Sequence, residues 1–309
     1  MDVFRVTVTD IFGGETILTP SSLRLRRGIS SPAEGMTGSF PVERRPAELI
    51  RLRVLRNDSL IFEGKIDEQR LTFSENGMIL RLDARSKGAL LIDNEAMPET
   101  LYNHSTHNIF ERLIAPHGFL LLAASKILPE FTVRKGLTLW DAFSVFARRT
   151  YGRLPFVSGD MVHVSQTNPG ESAIIGGRDI PFSRLEHTIR HYTPISRIFI
   201  RDDEGNYHTS VSNPDAPIRQ IHRERYLIPA GEFVEIPRWD AGSRIQRSMR
   251  QMETVVAELP GFWEMRTGRG VTVNHPSIHI PNLLVDESVF TLDHNGARTS
   301  LTLARMQFD

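Results

Sequence analysis

Residues 59–85 read SLIFEGKIDEQRLTFSENGMILRLDAR, and this stretch decides the fold. Two β-rich runs, Ser59 to Phe73 and Met78 to Ala84, flank Glu75-Asn76-Gly77. Asn-Gly between such runs specifies a tight hairpin, because both central turn residues need positive φ. The same stretch returns near the other end of the chain. Laying residues 66–77 over 285–296, an offset of 219, gives five identities in twelve positions. Asp67-Glu68 meets Asp286-Glu287, Thr72 meets Thr291, and Asn76-Gly77 meets Asn295-Gly296. Leu71 falls on Phe290 and Phe73 on Leu292, so the apolar positions stay in phase. One hairpin used twice is the reading, with each β-rich end a copy of one sheet or barrel.

Working outward, residues 1–92 are expected to form the first β domain. Val3 to Thr9 is rich in β-branched residues and is followed by a turn at Gly13-Gly14. Ser22 to Arg26 and Leu49 to Arg56 alternate leucine or valine with arginine, which suits half-buried strands. Residues 93–168 change character and are expected to form a small α/β module. A helix is expected over Tyr102 to Gly118, capped by Ser105 or Asn103, and a second over Thr138 to Thr150, capped by Thr138 and closed by Gly152. Short strands at Phe119 to Leu122 and Phe131 to Val133 lie between them, and a hairpin turning at Ser158-Gly159-Asp160 follows. Residues 169–309 return to strands: Ser196 to Arg201, Tyr207 to Val211, Val255 to Leu259, Trp263 to Arg266, Gly270 to Val273, Leu284 to Leu292 and Arg298 to Gln307. They carry one helix, at about 240–253. The fold class is therefore α+β and mainly β: two related β-barrel domains flanking a small α/β module.

The chain has 309 residues, about two domains at roughly 150 residues each. Its 37 basic and 37 acidic residues cancel, which argues against a long basic face gripping nucleic acid. There is no cysteine, so disulfides, thiolate metal sites and cysteine nucleophiles are excluded. Only Lys65, Lys87, Lys126 and Lys135 are lysines; every other basic residue is arginine, a bias of GC-rich coding or of surfaces built for bidentate contacts. Met1 to Arg5 does not open a signal peptide and no run reaches 18 apolar residues, so folding in a cytoplasm is the expectation.

The search for chemistry yields no catalytic, cofactor-binding or metal residues. His104-x-x-His107 with His117 nearby has metal-like spacing, but Glu99 and Glu111 have no register to complete a site. His275 and His279 are separated by Pro276 and do not share a helix face. Gly268-Arg269-Gly270 lacks the later glycine and the helix of a phosphate loop. Asp202-Asp203 sits in a turn with Gly205. Arg44-Arg45 and the arginines at 238, 244, 247 and 250 are basic clusters without interleaved aromatics, so single-strand stacking is not expected.

The order of these segments resembles the baseplate hub family of contractile phage tails. That family includes the Mu-type hub, the late control protein D family and the hub-like part of type VI secretion spikes. The likeness rests on Leu60 to Asp67 with its long hairpin and Asp83 to Asp93, on Phe131 to Phe143 with Tyr151-Gly152, and on Gly268 to Val273, Leu283 to Leu292 and Thr299 to Leu303. The resemblance implies a homotrimer in which each chain supplies two tail-tube-type barrels, making a ring of six similar units. It implies tail tube, central spike and other baseplate proteins as partners, DNA only as passing cargo, no stable membrane association, and a place in the virion tail after assembly in the bacterial host cytoplasm. It carries no enzymatic residues and no cofactor. The alternative weighed is a tail protein that binds or cleaves cell-wall glycan through the α/β module, where Trp140 and Phe156 are the aromatic candidates. A DNA-binding protein is a third, disfavoured by the balanced charge.

Overall fold

The structure, a computed structural model, describes residues 2–75, 77–164, 172–176, 179–229 and 236–305. The first part holds seven strands: β1 (Phe4–Asp10), β2 (Glu15–Leu18), β3 (Ser22–Gly28), β4 (Gly35–Val42), β5 (Leu49–Arg56), β6 (Ser59–Ser74) and β7 (Gly77–Arg85). Alternation drives their burial. Phe4, Val6 and Val8 of β1, Leu23 and Leu25 of β3, and Leu52 and Val54 of β5 point into one core, while the arginines between them face outward.

The middle part contains α1 (Ala89–Asp93), β8 (Glu99–Ser105), α2 (Thr106–Leu113), a 3-10 turn at Ala115–His117, β9 (Leu120–Leu122), β10 (Ile127–Val133), α3 (Leu139–Tyr151), β11 (Phe156–Ser158) and β12 (Met161–His163). The helix expected from Tyr102 starts only at Thr106. Residues 99–105 instead pair antiparallel with β10, a tertiary contact that outweighs the local helical periodicity. Ser105 then caps α2 through a reciprocal pair with Asn108. Thr138 caps α3 in the same way with Asp141, and Gly152 closes it at φ 73°. Leu91 of α1 already packs in this module's core, beside Phe110, Phe143 and Phe146.

The last part runs β13 (Ala173–Ile175), β14 (Arg184–Ile189), β15 (Arg197–Ile200), β16 (Thr209–Ser212), β17 (Glu224–Leu227), α4 (Pro237–Met252), β18 (Glu253–Pro260), β19 (Gly270–His275), β20 (Ile278–Asp293) and β21 (Gly296–Arg305). α4 begins three residues before the expected Asp240, because Pro237 has the fixed φ that suits a first helical position. Trp263 to Arg266 is loop instead of strand. The Trp263 indole N–H donates to the Pro260 carbonyl at 2.8 Å and its backbone N–H to the Thr299 hydroxyl at 3.0 Å, so no ladder partner is left for it. Asn76, Met306 and Gln307, expected in a turn and a final strand, lie outside the described residues.

The two β-rich ends join. A 13-stranded sheet runs β14-β18-β21-β20-β3-β4-β7-β6-β5-β1-β2, with β19 beside β20 and β13 beside β19. Within it the repeat extends far beyond the twelve residues legible in sequence. β6 and β20 are both 16-residue strands. In each, the aspartate of the matched Asp-Glu pair is bulged out of the ladder, between Ile66 and Glu68 and between Val285 and Glu287. The hairpins close on Ser74↔Gly77 and Asp293↔Gly296. One order, β3-β4-β7-β6-β5-β1, is matched by the other, β14-β18-β21-β20-β19-β13. Even the entries agree: Ser21 donates its N–H and hydroxyl to the Ser39 carbonyl, and Ser183 does the same to the Glu258 carbonyl. The last strand differs, since β1 pairs antiparallel with β5 and β13 pairs parallel with β19.

Each half curls around its own core. Six strand steps separate β20 from β1 along the sheet, about 29 Å if flat. Yet the Phe4 and Phe290 rings lie 5.1 Å apart. In the second half the ring of Phe182, just before β14, meets that of His275 on β19 at 5.6 Å. The insertions attach at the bulges. Asp67 accepts two hydrogen bonds from Arg85, which also donates to Asp93 of α1. Asp67, and then Asp93, hold the Arg85 guanidinium above its ordinary pKa. In the second half, Asp286 pairs with Arg250 of α4.

Candidate assembly interface

The site begins from the junction of the two halves. Leu25 of β3 pairs with Phe290 of β20, Leu23 with Leu292, and Arg27 with Ser288, all antiparallel. The side chains of Leu23, Leu25 and Phe290 are buried in one core with Phe4 and Phe262. Phe262 meets Phe290 edge-on at 5.1 Å and Phe4 at 6.3 Å. On the outer face Arg26 forms an ion pair with Glu287. This junction shows how one barrel's edge strand, β3, docks on the C-terminal half of the other barrel's long strand.

The equivalents of these two edges are unpaired among the described residues. β14 occupies the place of β3, bonded to β18 on one side and to nothing on the other. β6 pairs with β5 only as far as Lys65, so the stretch from Glu68 to Phe73 is bonded to β7 alone. The consequence appears in burial. Phe73 is 67% exposed, whereas its counterpart Leu292 at the joined edge is half-buried against the first core, and Ile189 on β14 is 51% exposed. Free strand edges flanked by exposed apolar side chains are templates for pairing with another chain.

β14 is held firmly from its inner side. His187 lies 3.0 Å from Glu253, and Arg305 donates two 2.9 Å hydrogen bonds to the same carboxylate. Burial by itself raises the Glu253 pKa, but the bonds from Arg305 and His187 outweigh it and hold it below the ordinary value. A carboxyl with a depressed folded-state pKa contributes stability above its unfolded pKa and loses it as pH falls through the folded one. Glu253→Gln is therefore expected to be less stable than the parent at neutral pH. The gap should narrow as pH falls below the ordinary glutamate pKa of about 4.3. Urea midpoints from neutral pH down through that value check this; a gap constant with pH contradicts it.

The residues singled out in the sequence for chemistry do not converge. His104 lies on β8, its Nδ1 2.9 Å from the Tyr102 carbonyl, while His107 is on α2 and His117 in the 3-10 turn. His275 and His279 belong to adjacent strands of a hairpin. Among the described residues no group of three or more histidines and carboxylates is arranged to hold a metal. Gly268 follows a loop and packs on the Phe156 ring. Trp140 and Phe156 are buried, the former against Phe143 and the latter stacked on His163 at 4.8 Å. Two of the α4 arginines bond within the chain: Arg244 reaches Asp240, as does Arg148 of α3, and Arg250 reaches Asp286. A cleft of about 520 Å³ lies between the first barrel and the module and is lined by Arg27, Glu34, Arg85 and Lys87 among others. Lys87 bridges it to Asp160 at 2.7 Å. No helix among the described residues is long and apolar enough to cross a membrane.

Sequence reasoning missed β4 and β14, the two strands that carry the repeat to the edges. β4 hides in Gly35, Gly38 and Pro41, and β14 in the polar run Arg184 to Thr188. The 219 offset already contained a signal, since it lays Pro41 on Pro260 and Phe40 on Leu259.

The arrangement has the fold of phage tail proteins and of a type VI secretion component. A tail protein from Neisseria meningitidis MC58 superposes with a TM-score of 0.73 at 16% identity, covering 98% of this chain and 96% of that one. The 43 kDa tail protein of prophage MuSo2 from Shewanella oneidensis gives 0.76 at 14% identity, covering 99% and 98%. An E. coli type VI secretion component, described as similar in structure to the T4 tail proteins gp27 and gp5, gives 0.56 at 9% identity, covering 98% and 77%. No family model matches the sequence. No curated protein matches it either.

Proposed function

We propose that this chain is the structural hub of a contractile tail or injection system. Three copies close into a ring of six similar barrels that joins the tail tube to the trimeric central spike and leaves a channel for DNA or effector. The observation that carries this is the repeated barrel joined in series through β3 and β20, with one unjoined edge of each kind left over. A unit with two different complementary edges associates head to tail, and such contacts close into a ring when the rotation permits. Doubling the barrel within one chain lets a three-fold assembly face a six-fold one. The inserted module and the α4 unit occur once per chain, so they impose three-fold character on one ring. The zero net charge suits a conduit, since a strongly basic wall would hold passing DNA.

On this reading the partners are the tube, the spike and neighbouring baseplate proteins. DNA is transient cargo, the place of action is the virion tail after assembly in the host cytoplasm, and no membrane is stably bound. The protein catalyses nothing and needs no cofactor. The buried state of Trp140 and Phe156 leaves those two rings with no part in glycan contact. Sedimentation of the purified protein is expected to give three times the chain mass, and projection images a three-fold ring with six lobes. A monomer at high concentration, even with a trimeric spike protein present, would overturn the proposal.

A further inference from the structure

The internal junction is a template for the contact between copies. Along the strands that lead to the junction, the first half maps on the second with constant offsets. β4 through β7 map onto β18 through β21 at 219. β3 maps onto β14 at 162, since Leu23 faces Gly38 as Leu185 faces Ala257. Transferring the β3–β20 pairing through these offsets fixes which residues of β14 and β6 would face each other. We propose that the outer edge of β14 pairs antiparallel with Glu68–Phe73 of β6 in a neighbouring copy, in the register Leu185↔Phe73, Glu186↔Thr72, Thr188↔Arg70 and Arg190↔Glu68. The inference rests on the ring reading above and adds to it the seam.

Three observations support this partner over another. First, the transferred register is complementary in charge. Arg190 falls opposite Glu68, and Glu186 lies diagonal to Arg70. Second, each edge carries apolar side chains on its inward face. Phe73 is 67% exposed where its counterpart Leu292 is packed against the first core, and Leu185 of β14 already leans on the second core. The seam covers Phe73 as β3 covers Leu292. Third, among the described residues no backbone of the chain itself forms a ladder with this edge. Gln69 turns its amide onto the Leu49 N–H and the Ala47 carbonyl, while the ladder of β6 with β5 ends at Lys65. Among the described residues the backbone of residues 68–73 is thus left without a ladder partner on that side, as is the outer side of β14.

The chain has no cysteine, so paired cysteines report the seam directly. At the internal junction the Ile29 N–H donates to the Asp286 carbonyl. Counting along the ladder from there, Arg24↔Thr291 is a non-hydrogen-bonded pair, the kind with the closest Cα atoms, about 4.5 Å. Its seam equivalent is Glu186↔Thr72, both exposed in one chain. The full-length double variant Thr72→Cys with Glu186→Cys is expected to run mostly as a reductant-sensitive covalent trimer on a denaturing gel after mild oxidation. Thr72→Cys with Thr188→Cys, two residues out of register, is expected to stay monomeric on the same gel, because its Cα atoms lie beyond about 7 Å. Sedimentation of both variants before oxidation separates the two claims. A native trimer without the first cross-link, or with only the second, overturns the seam and leaves the hub reading standing. A native monomer overturns both.

Discussion

Phe290→Ala is expected to lower the unfolding free energy by about 3–5 kcal/mol, the usual range for truncating a buried phenylalanine. Phe290 is 3% exposed and stands where three parts of the chain meet. It lies on β20, pairs with Leu25 of β3, and touches both Phe4 of β1 and Phe262 of the loop before β19. Deleting the ring leaves a cavity shared by the strands that close the first barrel and the strand that ties it to the second. Those elements are anchored by the sheet and cannot collapse inward, which places the cost toward the upper end. The contrast is Phe73→Ala, which removes the same ring from the equivalent hairpin where it is 67% exposed. In dilute protein that change should cost within about 1 kcal/mol. Urea titrations of the two variants decide the matter. Equal losses would mean that the β3–β20 junction does not hold the halves together.

Phe143→Ala is expected to be as costly, about 3–5 kcal/mol, but within the α/β module alone. Phe143 is fully buried, meeting Phe110 edge-on at 5.9 Å and Trp140 at 6.3 Å. That core shares no residue with either barrel. Links from the module to the rest, among the described residues, are mostly polar, such as Arg148 to Asp240, Lys87 to Asp160 and the Thr267 hydroxyl to the Val157 carbonyl, with Gly268 on the Phe156 ring as an apolar one. A loosened module therefore opens as its own unit. Hydrogen exchange should show amides of α2, α3 and β10 losing protection while those of β18 and β21 keep theirs. Uniform loss along the chain would make the module and barrels one cooperative body.

Much of the fold was legible because its signals are local. Alternating leucine, valine and arginine fixed β3 and β5, and Thr138 and Gly152 fixed the ends of α3. The matched Asp-Glu and Asn-Gly pairs announced the repeat, and the structure adds that the matched aspartates are the bulges. Their conservation between halves has a physical cause: the bulge frees a carboxylate for Arg85 in one half and Arg250 in the other.

The strand from Glu99 to Ser105 was not legible, because it exists only while β10 lies beside it. Nor were β4 and β14, whose glycines and polar residues carry no strand preference of their own. The candidate interface lies in the same category. Sequence by itself determined that one barrel occurs twice, since side-chain alternation and turn chemistry act between near neighbours. Only the tertiary structure decided which edges are joined and which are left open, since edge pairing depends on strands brought together from residues 22–28 and 287–292.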